Sequence, residues 1–400
     1  MRATPFSIAR IGEITEKVDN WNPSRDANGN EIEYIDLTAV NNQTKLIENC
    51  KRIEAKTAPS RARQRVKRHD IIISTVRPNL NGVALVTDEL DGATASTGFC
   101  VLRPITEKVH VEYLFHWVRN PIFVADMVSK ATGQSYPAVS DKIILDSEIP
   151  LPPLAEQQRI ATILQKADSL RRLRQRAIDR LNTLGQAIFR EMFGDPVNNP
   201  LGWNDEHTLG AVADIVSGIT KGRKLNGQRT RTIPYLAVAN VQERELRLSG
   251  VKVIEATEDE IQRYRLRIND LLLTEGGDPD KLGRGTLWNG EIPECIHQNH
   301  VFRVRLNGDT IEPVFLNWLM GSERGKKYFL RSAKQTTGIA SINMTQLRGF
   351  PLLIPPLNLQ RDFCRRLAMI EKQKATSIAA LESTAALFAS LQHRAFRGAL

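Results

Sequence analysis

The sequence predicts an α+β protein built by tandem duplication. It has two domains, each a mixed or curled β-sheet with helices, alternating with two long helices that pair as an antiparallel coiled coil. Three observations predict this. The chain repeats itself at a spacing of about 200 residues, each copy carries short apolar runs punctuated by turn residues, and each copy ends in a long proline-opened helical stretch.

The repeat is the first of these. Pro152-Pro153-Leu154 recurs as Pro355-Pro356-Leu357, an offset of 203. At the same offset Gln157 meets Gln360, Leu164 meets Leu367, Leu184 meets Leu387 and Phe193 meets Phe396. Upstream, His69-Asp70-Ile71-Ile72-Ile73-Ser74 matches Asn269-Asp270-Leu271-Leu272-Leu273-Thr274 at offset 200. Val111-Glu112 with Phe115 and Trp117 aligns with Ile311-Glu312, Phe315 and Trp318, and Tyr34-Ile35 with Tyr235-Leu236. The drift in offset is what loop insertions produce.

Within each copy the first part reads as sheet. Ile71-Ile72-Ile73, Val83-Ala84-Leu85-Val86, Leu271-Leu272-Leu273 and Val301-Phe302-Arg303-Val304 are strand-like runs. Helical pieces at 111–120 and 312–320 interrupt them. The second part reads as a rod. From Leu154 to Met192, apolar residues fall at Ile160, Leu164, Ala167, Leu170, Ile178, Leu181, Ile188 and Met192, mostly in steps of three or four. A double proline opens this helix and Gly194-Asp195-Pro196 closes it. The second rod runs from Leu359 to Phe396 with Leu367, Ile370, Ile378, Leu381, Ala385, Phe388 and Ala395 on one face. About 38 residues at roughly 1.5 Å each give a rod of about 57 Å, which overhangs a domain of ordinary size. Its apolar face calls for a partner helix, and the nearest is its twin. The resulting division is 1–150, 151–195, 196–353 and 354–400.

Composition narrows the partners. A formal net charge of +10 and a pI near 9.5 favour a polyanion, because each Lys or Arg set against a phosphate releases a condensed counterion. Cys50, Cys100, Cys295 and Cys364 form no CxxC, which argues against a zinc ribbon or disulfide framework and suits a reducing compartment. The N-terminus lacks a secretory pattern, and no apolar run is long enough for a membrane span, so a cytoplasmic protein is expected.

Candidate nucleic-acid contacts follow from charge and placement. Arg61, Arg63, Arg65 and Lys67 alternate, so on a strand they share one face. Arg263, Arg265 and Arg267 repeat the pattern before the Asp270 strand. Such residues suit phosphate contact, which positions a protein without specifying sequence; a solvated face is the competing reading. Base reading needs Arg, Lys, Asn or Gln on loops that can enter a groove. The first copy offers Arg77, Asn79 and Asn81, with Gln134, Ser135 and Tyr136. The second offers Lys221, Arg223 and Lys224, with Lys281 and Arg284 in a glycine-rich loop. That loop lacks the order of a nucleotide-binding P-loop, and Pro279 removes a backbone donor. Cys295, His297 and His300 lack a matching second pair of ligands, so no metal and no other cofactor is expected. The arginines along the first rod suit a solvated face, an acidic partner or DNA running alongside.

Several of these stretches resemble the specificity subunits of type I restriction–modification systems. Ile149-Pro150-Leu151-Pro152-Pro153-Leu154-Ala155-Glu156-Gln157-Gln158 resembles the start of that family's central helical region. Phe193-Gly194-Asp195-Pro196, followed by Asn199-Pro200 and Gly202-Trp203, resembles its end. Ala395-Phe396-Arg397-Gly398-Ala399-Leu400 resembles the family's finish. Thr132-Gly133-Gln134-Ser135 and Thr337-Gly338-Ile339-Ala340 sit where each recognition domain ends. The resemblance covers essentially the whole chain.

It implies two target-recognition domains, each reading one half of an asymmetric, gapped site in double-stranded DNA. Paired helical spacers would set the gap and dock two methylation subunits and the restriction (motor-nuclease) subunits. A rod of the expected length spans half-sites about 34–36 Å apart. Two departures matter. Asn358-Leu359-Gln360-Arg361 leaves Glu156 without an equivalent, and Gly276-Gly277 stands where the first copy has Arg77-Pro78. The two domains are therefore expected to read different half-sites. Neither a methyltransferase motif of the Asp/Asn-Pro-Pro-aromatic type nor a Walker loop is present, and no convincing nuclease carboxylate set is seen, so the chain is expected to be non-catalytic. A free-standing bivalent DNA-binding regulator is the competing reading, and a hidden nuclease a weaker third.

Overall fold

The computed structural model describes residues 6–18, 20–27, 31–225, 227–277, 282–336 and 339–400. Thr337 and Gly338 of the second end-of-domain motif lie outside them. The chain forms two units, residues 1–178 with 376–400 and residues 179–375.

The first unit is organised by Ile71–Ser74. This strand pairs antiparallel with Val83–Leu85 on one side and Phe99–Pro104 on the other, and Thr15–Glu16 completes the sheet. A second sheet runs Lys51–Glu54, Glu31–Ile35, Thr94–Ser96, Ala62–Arg65, with one parallel pairing in an otherwise antiparallel set. Ile71 and Ile73 point into a core made with the helices, while Ile72 points into a separate core with Ile35, Val66 and Phe99. Two-sided burial explains why this strand is a continuous apolar run rather than an alternating one.

The second unit repeats the plan. Leu271–Thr274 pairs with Gly285–Leu287 and Val301–Leu306, and Ala213–Ser217 forms the edge. Leu271 and Leu273 enter the helical core, and Leu272 enters a second one with Leu236 and Trp288. The smaller sheet orders Lys252–Ala256, Arg231–Leu236 and Ile296–His297, again with one parallel pairing.

The long helices are Leu154–Phe193 and Leu357–Ala395, so the second starts two residues earlier than the sequence suggested. In both, the double proline sits just before the first turn, where missing N–H groups cost nothing. Gly194 closes the first with φ +76°, a conformation that glycine adopts without strain. Antiparallel pairing is visible inside each unit separately. In the first unit the Arg159 guanidinium donates to the Leu400 carbonyl, and Arg174 reaches Ala380 O and Thr384 Oγ1. In the second, Gly185 abuts Leu367, and Phe189 and Phe193 pack on Phe363. The seam is less apolar than its periodicity promised. Leu170 and Ile378 are partly exposed, because Arg174 crosses between the helices instead.

One glutamine in each copy anchors the helix start. Gln157 Oε1 accepts from His110 N, and its Nε2 donates to Lys108 O and Pro152 O. Gln360 does the same with Glu312 N, Thr310 O and Pro355 O. Both are buried. These bonds also correct the repeat alignment at the short helices Val111–Val118 and Pro313–Met320, which correspond at offset 202. Tyr113 therefore answers to Phe315, and His116 to Trp318.

The helix ends complete the cores. Phe396 packs edge-on against Trp117 at 5.0 Å and tilted against Tyr113 at 5.2 Å. Phe193 packs edge-on against Phe315 at 4.8 Å and against Phe363 at 5.3 Å. Each aromatic thus fills the equivalent slot in a different unit. Truncating either should cost about 3–5 kcal/mol, the range for a buried phenylalanine. We predict that Phe396→Ala lowers stability by that amount in urea unfolding and speeds amide exchange in Ile71–Ser74 before Leu271–Thr274. Equal exchange in both strands would show that the slot is not specific to its unit.

Two buried histidines add a pH dependence. Burial, reinforced by Arg119, pushes the His116 pKa down to about 3, and burial, reinforced by Arg303, pushes His297 down to about 4 despite its bond to Val301 O. Both stay neutral in the fold, while unfolded imidazoles titrate near 6.5. Their contribution is present above that value and lost as the pH falls through the folded pKa values. Stability should therefore decline on acidification from about pH 6.5 to 4, and His116→Phe should flatten the slope in pH-resolved unfolding.

Candidate nucleic-acid interface

The basic run of the first unit lies on the strand Ala62–Arg65 and its continuation, as its alternation predicted. Ala62, Gln64 and Val66 are buried, Arg63 is half-buried, and Arg61, Arg65 and Lys67 are exposed on the alternate positions. Arg63 donates to Asn22 Oδ1 at 2.6 Å, and Arg65 lies over the Trp21 ring at 5.3 Å.

A buried carboxylate holds this segment. Asp70 accepts from Lys67 N at 2.8 Å and from both Nε and Nη2 of Arg103, and Arg103 Nη2 also reaches Arg65 O. The second unit repeats every bond with Asp270, Arg267 N, Arg305 and Arg265 O. The tight turn needs a residue at positive φ, supplied by His69 at 70° and Asn269 at 73°. The Asp70 and Asp270 landmarks of the repeat thus mark a clasp that fixes where the basic residues stand. Arg103 and Arg305, its other half, sit on neighbouring strands, and no local pattern announced them.

The second basic run differs from expectation. Arg263 occupies the last turn of the helix Glu258–Tyr264, and Arg265 caps its end, so these residues do not alternate along a strand. The Thr257–Glu260 capping box starts that helix and overrides the alternation. Arg265 lies 3.6 Å from Glu294, and Arg263 stacks by its neighbour Tyr264 at 5.5 Å.

The loop candidates of the first unit converge. Arg77 adopts φ 52° and lies over the Tyr136 ring at 4.5 Å, and its N–H donates to Pro137 O. Bridges Val76–Ala138 and Thr132–Ala138 tie the two loops together. Tyr136 is 68% exposed, and Asn79, Gln134 and Ser135 are exposed beside the pair. Asn81 instead turns inward, donating to Arg119 O at 3.2 Å. An arginine held on an exposed aromatic ring offers both a cation and a stacking face.

The second unit pairs Gly276–Gly277 with Ile339–Ser341, which pairs in turn with Lys334–Thr336, so the equivalent loops meet as a small sheet. Lys221 and Lys224 are exposed. Arg223 is engaged by Glu260 and Glu255 O. Arg284 donates to Gln242 Oε1 at 3.0 Å, and Lys281 lies outside the described residues. Cys295 is buried, His297 bonds Val301 O, and His300 pairs with Glu275, so the three side chains have separate partners. No described helix is long and apolar enough to cross a membrane.

Residues 4–183 match the family profile of the type I restriction modification DNA specificity domain. The chain is 27% identical over 365 residues to the StySPI specificity subunit of Salmonella potsdam, covering 84% of this chain and 76% of that protein. It is 25% identical over 331 residues to the EcoKI specificity subunit of Escherichia coli strain K12, covering 76% and 68%. Over most of its length the chain is thus similar to specificity subunits of type I restriction–modification systems. A solved chain from work on complex assembly and conformational transition of the type I R-M system aligns over 100% of both chains with a TM-score of 0.65 and 25% identity. The S subunit from M. genitalium, at 13% identity, aligns over 99% of this chain and 97% of its own length with a TM-score of 0.56, a likeness of fold.

The clasp can be tested apart from any ligand. Removing one member of a buried ion pair costs about 3–5 kcal/mol, because the other charge stays buried and unpaired. Arg305→Ala should destabilise the second unit by that amount in denaturant titrations, and Asp270→Asn with Arg305→Met should recover part of the loss. A double variant no better than the single would mean that the pair is more than a local clasp.

Proposed function

We propose that this chain is the sequence-reading, non-catalytic subunit of a cytoplasmic type I restriction–modification complex. Residues 1–150 and 196–353 are its two recognition domains, and each binds one half of an asymmetric, gapped site in double-stranded DNA. Residues 151–195 and 354–400 are the helical spacers that set the gap and dock two methylation subunits together with restriction subunits. Chemistry resides in those partners.

The observation that carries this reading is one frame with two different loop sets. The clasp, the glutamine anchor and the central strand recur bond for bond, while the Arg77–Tyr136 pair has Gly276–Gly277 as its counterpart. A conserved frame with divergent loops suits two readers of different sequences. The contacts proposed for the first domain are Arg61, Arg63, Arg65 and Lys67 to phosphates, and Arg77, Asn79, Gln134, Ser135 and Tyr136 to bases, with Asn81 held inward behind them. For the second they are Arg263 and Arg265 to phosphates, and Lys221, Arg223, Lys224, Lys281 and Arg284 in the loops.

Selection from a randomised duplex library, using the chain co-purified with its methylation subunit, should enrich a two-part site with a fixed unselected gap. Exchanging residues 1–150 for those of a relative should change one half of that site and leave the other. Enrichment of a single contiguous site would overturn the bipartite reading. Within the first domain, Arg65→Gln or Lys67→Gln should weaken binding to all sequences alike and reduce the salt slope by roughly one counterion each. An unchanged slope would remove these residues from the phosphate contacts.

A further inference from the structure

The two units differ sharply at the end of one short helix. In the first, Arg119 caps Val111–Val118 and reaches Asp168 of the long helix at 3.1 Å; Arg171 and Arg172 also bind that carboxylate at 2.8 Å. Lys45, at φ 58° in the turn after the 3₁₀ segment Leu37–Ala39, belongs to the same charge cluster; burial, with Arg119 and Arg171, lowers its pKa to about 8, while Asp168 opposes the shift. In the second unit the corresponding cap is Gly321, and the corresponding turn residue is Arg244, at φ 57° after Val238–Asn240. The counterpart of Asp168 is Glu371, which is mostly exposed and paired with Lys374 at 4.0 Å. The cation of the turn is kept, and the internal carboxylate that answers it is not.

Gly321 borders a cavity of about 440 Å³, lined by Arg244, Arg284, Lys326, Gln242, Glu243 and Asn317 among others. Arg244 is fixed in place: its N–H donates to Gly285 O, and its guanidinium lies over the Trp318 ring at 3.7 Å. Arg284 is held by Gln242. The Nε atoms of Arg244 and Arg284 are both buried and without a hydrogen-bond partner among the described residues. Glu243 is half exposed and 3.8 Å from Arg244, and Lys326 stands 4.0 Å from Glu323, both too long for a hydrogen bond. Among the described residues of the lining, three cations therefore face one loosely placed carboxylate. Arginines preset on a rigid support, with donors unspent, suit a planar or tetrahedral oxyanion.

We propose that this cavity is a phosphate-binding site belonging to the second unit alone, formed by Arg244, Arg284 and Lys326. In the first unit Arg119 and Asp168 occupy the equivalent place, so the protein's own carboxylate takes the role that an external oxyanion takes here. The source is either a backbone phosphate of the DNA proposed above or free inorganic phosphate.

Calorimetric titration of the full chain with inorganic phosphate, in the absence of DNA, tests the site independently of the DNA reading. One binding event is expected. Arg244→Gln and Arg284→Gln should each weaken it by at least about tenfold, the loss of one charge-assisted bond. Gly321→Arg, whose backbone conformation is ordinary for arginine, should fill the cavity and abolish the event, while Arg65→Gln should leave it unchanged. A parallel arm measures the salt dependence of duplex binding. A slope reduced by about one counterion in Arg244→Gln assigns the phosphate to DNA. An unchanged slope with phosphate binding lost assigns it to free phosphate. Titrations identical in wild type and all three cavity variants, together with an unchanged salt slope, would overturn the proposal. Failure of the wild-type chain to bind any duplex would sink the functional reading and leave the phosphate titration to decide this one.

Discussion

Everything in this chain depends on how the two cores are closed. Each long helix starts in one unit and ends in the other, and its last aromatic fills the final slot of the unit it enters. Phe396 sits among Tyr113 and Trp117, and Phe193 among Phe315 and Phe363. A side chain of that size buries roughly 150–250 Å². In each core the aromatic that fills the slot comes from the end of the long helix that starts in the other copy.

A second tier of constraint acts inside each copy. Gln157 and Gln360 join the start of a helix to the loop before a shorter one, and Asp70 and Asp270 join a central strand to the basic segment ahead of it. These are buried polar groups with all their bonds made, and such groups fix geometry because misplacing them strands a charge or an amide away from water. The frame is held by a few such bonds plus the two-faced strand. The loops between them carry little structural duty, which leaves Arg77, Tyr136 and their neighbours available for a ligand.

Much of this was legible in the sequence. The duplication, the long helices and the central strands follow from matched positions and apolar spacing, and the Pro-Pro openings mark the helix starts to within two residues. The contacts of Phe193 and Phe396 were not legible, since pairing at this distance leaves no local pattern. The strand expected at 263–267 is instead the last turn of a helix, its cap and the segment after it, because a capping box outcompeted the alternation of arginines. The short helices align at offset 202 and not where their aromatic residues suggested, because the anchoring glutamine and not the aromatic pattern sets the register. Among the loop candidates, Arg77 and Tyr136 meet, while Asn81 and Arg223 are drawn into internal bonds that only the folded chain creates.

The two-faced central strands have a consequence for how such a protein can diversify. Ile72 and Leu272 serve one core, and their immediate neighbours serve another. Inserting or deleting a single residue there would exchange the two faces and send every side chain to the wrong core. Length changes are therefore confined to the connections, where the repeat offset already drifts between its landmarks. Innovation in this lineage is expected to arrive by resizing loops on a frame whose strands cannot change length, so a new specificity can evolve without the fold being renegotiated.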